Sequence, residues 1–389
     1  MSDSKKILSE KFSHHFNLNP THFFSSPGRM EVLGNHTDYN HGLCLAAAID
    51  YAIEAAVSVN DSFIVHAISH GTRYPFRVNL RYLEVDPRQY NRSEALIRGV
   101  ANGFVKRGFQ IGGLNLYAIS SIPRGAGVSS SAAFELLIAT AFNHMFNQGK
   151  IDPTTLAQIA HEAEVDYFNK PCGLLDQTAV AYGGLVYLDF HSTETPLVEK
   201  IDFSINDYDI ILVNTGSHSK LTSYYAETRD DIQKVAAYFS LPSLREVNYA
   251  DFINNLHEIF NKLGGRVINR ALHIFNENIL VEKAKNALLT DDQATFIECV
   301  RASGLSSLTA LQNYTYPYDE TQGVLLAYNL SKQFVPTGAY RIHGGGFAGT
   351  LLAFIPQQES KYYVSEMQKV FGKEYILKLH IRPDGPAPF

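Results

Sequence analysis

The run Ser121 to Glu135, SIPRGAGVSSSAAFE, constrains this chain more than any other stretch. An apolar segment of strand character, Leu114 to Ile119 (LNLYAI), leads into it, and an apolar segment of helical length, Ala132 to Phe146, leads out. Gly125, Ala126 and Gly127, followed by Ser129, Ser130 and Ser131 at a helix start, can turn several backbone N–H groups toward one point, where the helix dipole favours negative charge. Such a turn is a phosphate cradle; a serine-capped helix after a glycine turn is the plainer account of the same residues. It is not the GxxxxGK[ST] loop, because no lysine follows the second glycine.

A length of 389 residues is more than twice the ~150 residues of a typical domain and predicts two domains. A net charge of -6 gives no electrostatic footprint for nucleic acid or anionic lipid, so small molecules are the expected partners. No run of 18 apolar residues occurs and the N-terminal stretch MSDSKKILSEKF is polar, which predicts neither a membrane span nor a signal segment. Cys44, Cys172 and Cys299 are odd in number and widely spaced, arguing against a disulfide framework or a cysteine zinc site and fitting a reducing cytoplasm. The fifteen histidines include no HExxH, and most are expected to be structural or surface residues.

In chain order, Ser26 to Asp50 (SPGRMEVLGNHTDYNHGLCLAAAID) alternates as a strand over Arg29 to Leu33, concentrates polar groups over Gly34 to Gly42, then returns to an apolar run. Arg29, Asn35, His36, Asp38 and Asn40 could together bind a molecule with several hydroxyls, or form a polar connection satisfied by its own backbone. Residues 52–83 read as antiparallel strands, Glu94 to Arg107 as a helix, and Leu156 to Tyr167 as an amphipathic helix leading into PCGLLDQ. Asp176, between Leu175 and Gln177, is expected to be partly buried and so paired or put to use. Glu164 either lies on a solvated helix face or returns toward the cradle. A composition change at Thr193 to Glu199 suggests a domain boundary. Beyond it come a strand over Tyr208 to Val213, a polar loop over Asn214 to Asp231, four helices, and a glycine turn in GAYRIHGGGFAGTLL (Gly338 to Leu352) between two strands.

PGRMEVLGNHTDYNHG, PRGAGVSSSAAFE and RIHGGGFAG, in that order, resemble the galactokinase branch of the GHMP small-molecule kinases, with PCGLLDQ and RPDGPAP adding to the likeness across nearly the whole chain. The resemblance implies an α+β fold of two domains, 1–195 like ribosomal-protein S5 domain 2 and 196–389 ferredoxin-like, with the active site in the cleft between them. It implies ATP and Mg²⁺, with Pro123, Gly125, Ala126, Gly127, Ser129, Ser130 and Ser131 around the nucleotide phosphates and Ser131 and Glu164 at the metal. Asp176 matches the carboxylate beside the anomeric hydroxyl, and Arg29 its cationic neighbour. Asn35, His36, Asp38, the backbone of Gly173, and Tyr225 match sugar-contacting positions, the last after a spacing one residue shorter than usual. The expected function is an ATP-dependent sugar 1-kinase in the cytoplasm, a monomer or weak homo-oligomer, acting on D-galactose. Galacturonate or N-acetylgalactosamine as substrate, and a non-catalytic sugar- and ATP-binding regulator, are the alternatives.

The departures concentrate in one motif. Where the family reads GRVNLIGEHTDYN, this chain has Glu31 for Asn and Asn35 for the Glu that accepts from the sugar's 6-hydroxyl. On a continuous strand the two Cα atoms would stand roughly 13 Å apart, so Glu31 is not expected to replace that acceptor. Asn35 is expected to accept through its amide oxygen, at ~1 kcal/mol less than a charged acceptor, and an amide that can also donate would open the site to galacturonate. His343, Ala348 and Leu175 stand where Thr, Gly and Met are usual.

Overall fold

The computed structural model describes residues 3–72, 75–123, 125–192, 194–216 and 221–389, apart from the side chain of residue 222. Arg124 of the phosphate loop, Thr193 at the expected boundary, and residues 217–220 of the expected polar loop lie outside the described residues.

The first sheet is organised on one long strand. β1 (His22–Leu33) pairs antiparallel with β2 (Leu43–Asn60), and the other edge of β2 is shared. Residues 53–60 face β5 (Gly113–Ser120) and residues 43–47 face β6 (Leu185–Asp189). β3 (Ile64–Ser69) and β4 (Phe76–Asn79) extend the sheet beyond β5, β7 (Leu197–Ile201) pairs with β6, and the C-terminal β12 (Ala387–Pro388) returns to β1. β2 reads as a nearly unbroken apolar run because both faces are covered: Leu45 and Ala47 enter the main core while Cys44 and Ala46 enter a smaller one. β3 pairs antiparallel with β4, as residues 52–83 read, and parallel with β5 on its other edge. Helix α2 (Ser93–Lys106) lies between β4 and β5 and supplies the crossover that a parallel neighbour requires.

Helix α1 (Asp3–Phe16) covers the sheet through Leu8 and Phe12. α3 (Ser130–Asn147), α4 (Pro153–Glu162) and α5 (Leu175–Tyr182) complete the first half. The helix read from Leu156 to Tyr167 begins at Pro153 behind the Asp152 cap and ends in a π turn, Ala163–Tyr167.

The second sheet is antiparallel with the order β11 (Ile376–Leu379), β8 (Tyr208–Asn214), β10 (Thr350–Pro356), β9 (Ala339–His343). Its connections run β8, helices, β9, β10, helix, β11, the split βαβ pattern of ferredoxin-like domains. One face, through Ile211, Val213, Ile342 and Leu351, packs on α11 (Gly323–Phe334) and α12 (Gln357–Phe371). The alternate residues Ile210, Leu212, Leu352 and Phe354 join the core of the first sheet through α9 (Gly265–Leu289) and α10 (Gln293–Ser306).

α6 (Thr222–Tyr238) occupies most of what reads as a polar loop. Its buried face joins apolar Ile232 and Val235 to polar groups that are satisfied: Thr228 donates to Tyr224 O, and Asp231, fully buried, is paired with Arg270 at 2.7 Å and Arg266 at 2.9 Å. α7 (Tyr249–Asn254) and α8 (Leu256–Leu263) divide at Asn255 the segment that reads as one helix over Phe252 to Phe260.

Phe296 on α10 meets Phe354 of the second sheet at 5.7 Å between ring centroids and belongs to the core shared with the first. Phe296→Ala is expected to cost about 3–5 kcal/mol in chemical denaturation, with the signals of both halves moving together.

Candidate active site

A cleft of about 470 Å³ opens between the two sheets, lined by β1, the glycine-serine loop, the start of α5, α6 and the turn between β9 and β10. Arg29, Asn35, His36, Asp38, Gly173, Asp176, Tyr225 and the loop residues Pro123 and 125–131 all line it.

Glycine and serine geometry shapes the loop. Gly125 (φ 71°), Gly127 (φ 66°) and Ser129 (φ 59°) are left-handed, an alternation that gathers successive amides into a concavity. Gly28 lets Val128 approach, since a Cβ there would lie 2.6 Å from its carbonyl oxygen. The first helical turn closes with Ala133 N on Ser129 O at 3.0 Å, leaving the preceding amides of α3 as the usual unsatisfied donors of a helix N-terminus. Ser129 holds a left-handed conformation without capping α3, and its hydroxyl donates to Asp176 Oδ2.

Asp176 lies in the first turn of α5 with its side chain 24% exposed. Arg29 Nε donates to its Oδ1 at 2.7 Å, and Arg29 Nη1 to the carbonyl of Gly127 at 2.7 Å, so one guanidinium ties β1, the loop and α5 together. Burial pushes the Asp176 carboxyl upward, but the Arg29 charge, the Ser129 hydroxyl and the Lys170 charge outweigh it and hold the group below its ordinary value.

Glu164 sits in the π turn, 1% exposed. Ser131 Oγ donates to its Oε1 at 2.7 Å, Lys170 Nζ to the same oxygen at 2.6 Å, and Gln177 Nε2 to Oε2 at 2.6 Å. Among the described residues no group of three or more His, Cys, Asp and Glu could hold a metal unaided. A hydroxyl and a carboxylate side by side are nevertheless hard oxygen donors of the kind that suit Mg²⁺ when nucleotide phosphates supply the remainder.

At the other end of the cleft, Asp38 packs so closely on Gly173 that any Cβ at 173 would collide with its carboxylate. Burial, with the charges of Glu31 and Asp176, pushes the Asp38 carboxyl up to about 7. His36 Nε2 donates to Gly345 O at 2.8 Å while Nδ1 faces the Tyr39 hydroxyl at 2.5 Å; burial lowers this imidazole to about 4, so it is neutral. Tyr225 reaches the Gly346 carbonyl at 3.3 Å, and its ring leaves no room for a Cβ at Gly345. The glycine turn thus braces the sugar-motif loop and α6 at once. His343 contributes: its Nε2 accepts from Glu31 N at 3.1 Å and its Nδ1 meets Thr350 Oγ1 at 3.2 Å, fixing a neutral tautomer. Ala348 is not among the left-handed residues, so its methyl group is accommodated where glycine is usual.

The reach argument for Glu31 and Asn35 is corrected. A register shift after Glu31 and the turn at Gly34 (φ 96°) end the regular strand before residue 35, and Asn35 Nδ2 donates to Glu31 Oε1 at 3.0 Å. Asn35 is 1% exposed, with its second amide hydrogen on Gly344 O at 2.7 Å and its Oδ1 accepting from Asn313 at 3.0 Å. Both its donors are therefore spent on protein, which removes the argument for galacturonate that rested on a free amide.

Several residues of the site went unread in the sequence. α9 clamps the sugar-motif loop from below: Glu277 Oε2 accepts from Gly34 N at 2.9 Å and Asn35 N at 3.1 Å, His273 Nε2 donates to Asn35 O at 3.1 Å, and Asn278 Oδ1 accepts from Leu43 N at 2.8 Å. His273 and Glu277 stand four residues apart within the apolar stripe of α9, and that placement was the available signal. Arg341, fully buried, donates to Glu31 Oε1 at 2.7 Å and to the Glu31 carbonyl at 2.6 Å.

The chain is similar to known proteins over most of its length. The GHMP kinases N-terminal domain model matches residues 95–184, and the galactokinase galactose-binding signature matches residues 10–59. The galactokinase of Thermotoga petrophila is 31% identical over 355 residues, covering 91% of this chain and 95% of that one. The galactokinase of Lacticaseibacillus paracasei is 28% identical over 381 residues, covering 96% and 95%. Among solved structures, Lactococcus lactis galactokinase complexed with galactose superposes with a TM-score of 0.83 at 24% identity, covering 98% of this chain and 99% of that one. The mevalonate kinase of Methanococcus jannaschii gives a TM-score of 0.62 at 14% identity, covering 93% and 98%.

Glu277→Ala would leave the amides of Gly34 and Asn35 without their acceptor. Differential scanning fluorimetry and chemical denaturation should report a loss of about 1–3 kcal/mol.

Proposed function

The chain belongs to the galactokinases of the GHMP kinase superfamily, and from that premise we propose that it transfers the γ-phosphoryl group of ATP to the anomeric hydroxyl of D-galactose, giving galactose 1-phosphate and ADP. The observation that carries the reading is the pairing of Asp176 with Arg29 at 2.7 Å beside the glycine-serine loop, inside a cleft whose other end is lined by Asp38 and His36.

Phosphoryl transfer through a loose transition state asks for positioning and charge stabilisation more than for a strong base. The amides of the loop and of the α3 N-terminus receive the phosphates of ATP, with the Ser130 hydroxyl beside them, while the Ser129 and Ser131 hydroxyls hold the carboxylates of Asp176 and Glu164. Asp176, kept ionised by Arg29, accepts the hydrogen bond of the C1 hydroxyl and orients its oxygen toward the γ-phosphorus. As the new O–P bond forms and the bond to the β-bridging oxygen breaks, the hydroxyl proton passes to Asp176. The Arg29 charge beside that carboxylate moderates the charge developing on the attacking oxygen. Asp38, His36, the Gly173 backbone and Tyr225 hold the rest of the sugar, and Asn35 supports them from behind. Ser131 and Glu164 would hold Mg²⁺, which when bound supplies positive charge to the β- and γ-phosphates.

Residues 1–195 and 196–389 are proposed as the two catalytic halves, with β7 tying the second to the first sheet. A cytoplasmic monomer or weak homo-oligomer without nucleic-acid or membrane partners is proposed as well. The net charge of -6 speaks against nucleic-acid and anionic-lipid partners, and among the described residues no helix is long and apolar enough to cross a membrane.

Turnover of Mg·ATP should be greatest with galactose in a panel including galacturonate, N-acetylgalactosamine, glucose and arabinose, with phosphate found on O1. Asp176→Asn should retain nucleotide binding and lose about 10²–10⁴-fold in kcat. No turnover on any sugar would favour a binding protein, and normal turnover by the variant would remove Asp176 from the mechanism.

A further inference from the structure

Glu31 has no part in the reaction described above, yet it is a carboxylate in the cleft wall. Arg29 and Glu31 pair in unbroken register with Ala48 and Ala46, so their side chains share one face of β1, about 6.6 Å apart along the strand. Arg29 marks the reacting end through Asp176, which sets Glu31 farther along the cleft, on the side of Asp38 and His36.

The Glu31 carboxylate is pinned by one oxygen only. Its Oε1 accepts from Arg341 Nη2 at 2.7 Å and from Asn35 Nδ2 at 3.0 Å, and its backbone N donates to His343 at 3.1 Å. Among the described residues Oε2 has no hydrogen-bond partner, and it is not one of the buried unpaired atoms, so it is the oxygen turned toward the cleft. A carboxylate oxygen at a largely buried wall, 6% exposed for the whole residue, is best satisfied by a donor brought in from outside. Asn35 cannot donate in its place, because both of its amide hydrogens are spent on Glu31 and Gly344. Asp38 alongside is a second acid in the same wall, able to hydrogen-bond hydroxyls.

Resting on the galactose 1-kinase reading, we propose that Glu31 determines specificity: its Oε2 accepts the C6 hydroxyl of galactose, and its charge bars sugars carrying a C6 carboxylate. Glu31 and Asn35 have exchanged roles, the acid reaching the substrate from the strand while the amide braces it from the loop.

The test is calorimetric binding of galactose, 6-deoxy-D-galactose and galacturonate to the full chain and its Glu31→Gln and Glu31→Asp variants, beside turnover with Mg·ATP. The unmodified protein should bind 6-deoxygalactose about tenfold or more weakly than galactose. Glu31→Gln should lose a comparable factor for galactose but little for 6-deoxygalactose, so that the two sugars converge, and should gain affinity for galacturonate. Glu31→Asp should fall between. Equal binding of galactose and its 6-deoxy form by the unmodified protein, strong binding of galacturonate, or an equal loss for both sugars in Glu31→Gln would overturn the assignment. If Glu31→Gln does not fold, the sugar series on the unmodified protein decides alone. The expected binding pattern without turnover would leave Glu31 in place and defeat the kinase reading. Turnover of galactose with no discrimination at C6 would do the reverse.

Discussion

The ion pair between Arg29 and Asp176 is the interaction on which the rest of the site depends. It joins residues 147 positions apart and brings together a strand of the first sheet, the carbonyl of Gly127 and the first turn of α5. Arg29 is 5% exposed, so removing either charge would strand the other away from water, a loss of about 3–5 kcal/mol in comparable buried pairs. The left-handed Ser129 belongs to the same assembly, its hydroxyl directed to Asp176 instead of to its own helix. Loop shape and carboxylate ionisation are thus one arrangement.

The opposite end of the cleft is held from the second sheet. Arg341 and His343 on β9 fix Glu31, and the carbonyls of Gly344 and Gly345 hold Asn35 and His36. Glu277, His273 and Asn278 on α9 secure the backbone of the same loop. A sugar bound there would touch groups whose positions depend on both halves of the chain, and the core they share through Phe296 and Phe354 keeps the halves in register.

What was legible in the sequence was local. The glycine-serine loop, the PCGLLDQ carboxylate and the HTDYN loop each carry chemistry within a dozen residues, and they converge on one cleft. Long-range partners were not legible: Glu277 meets residues 34 and 35 from 243 and 242 positions away and His273 meets residue 35 from 238, and a buried polar pair on a helix looks like any interrupted apolar stripe. Only the first part of α6, up to Asp231, reads as a loop, because Thr228 and Asp231 are polar yet buried and satisfied. The Glu31–Asn35 contact was misjudged because strand spacing was carried past Gly34, where the chain turns. The parallel pairing of β3 with β5 depends on a crossover that alternation alone does not disclose.

The central claim is that Asp176 stands ionised in the cleft because Arg29, with the Ser129 hydroxyl and the Lys170 charge, outweighs its burial. Its contribution to stability should accordingly be present above the ordinary aspartate pKa of ~3.9 and be lost only as pH falls through the lower folded value. The most direct measurement is a ¹³C NMR titration of the Asp176 carboxyl, assigned by difference against Asp176→Asn and repeated in Arg29→Met. A midpoint below the ordinary aspartate value, moving upward when Arg29 is replaced, is the expected result. A midpoint at or above that value, or one indifferent to Arg29, would contradict the account.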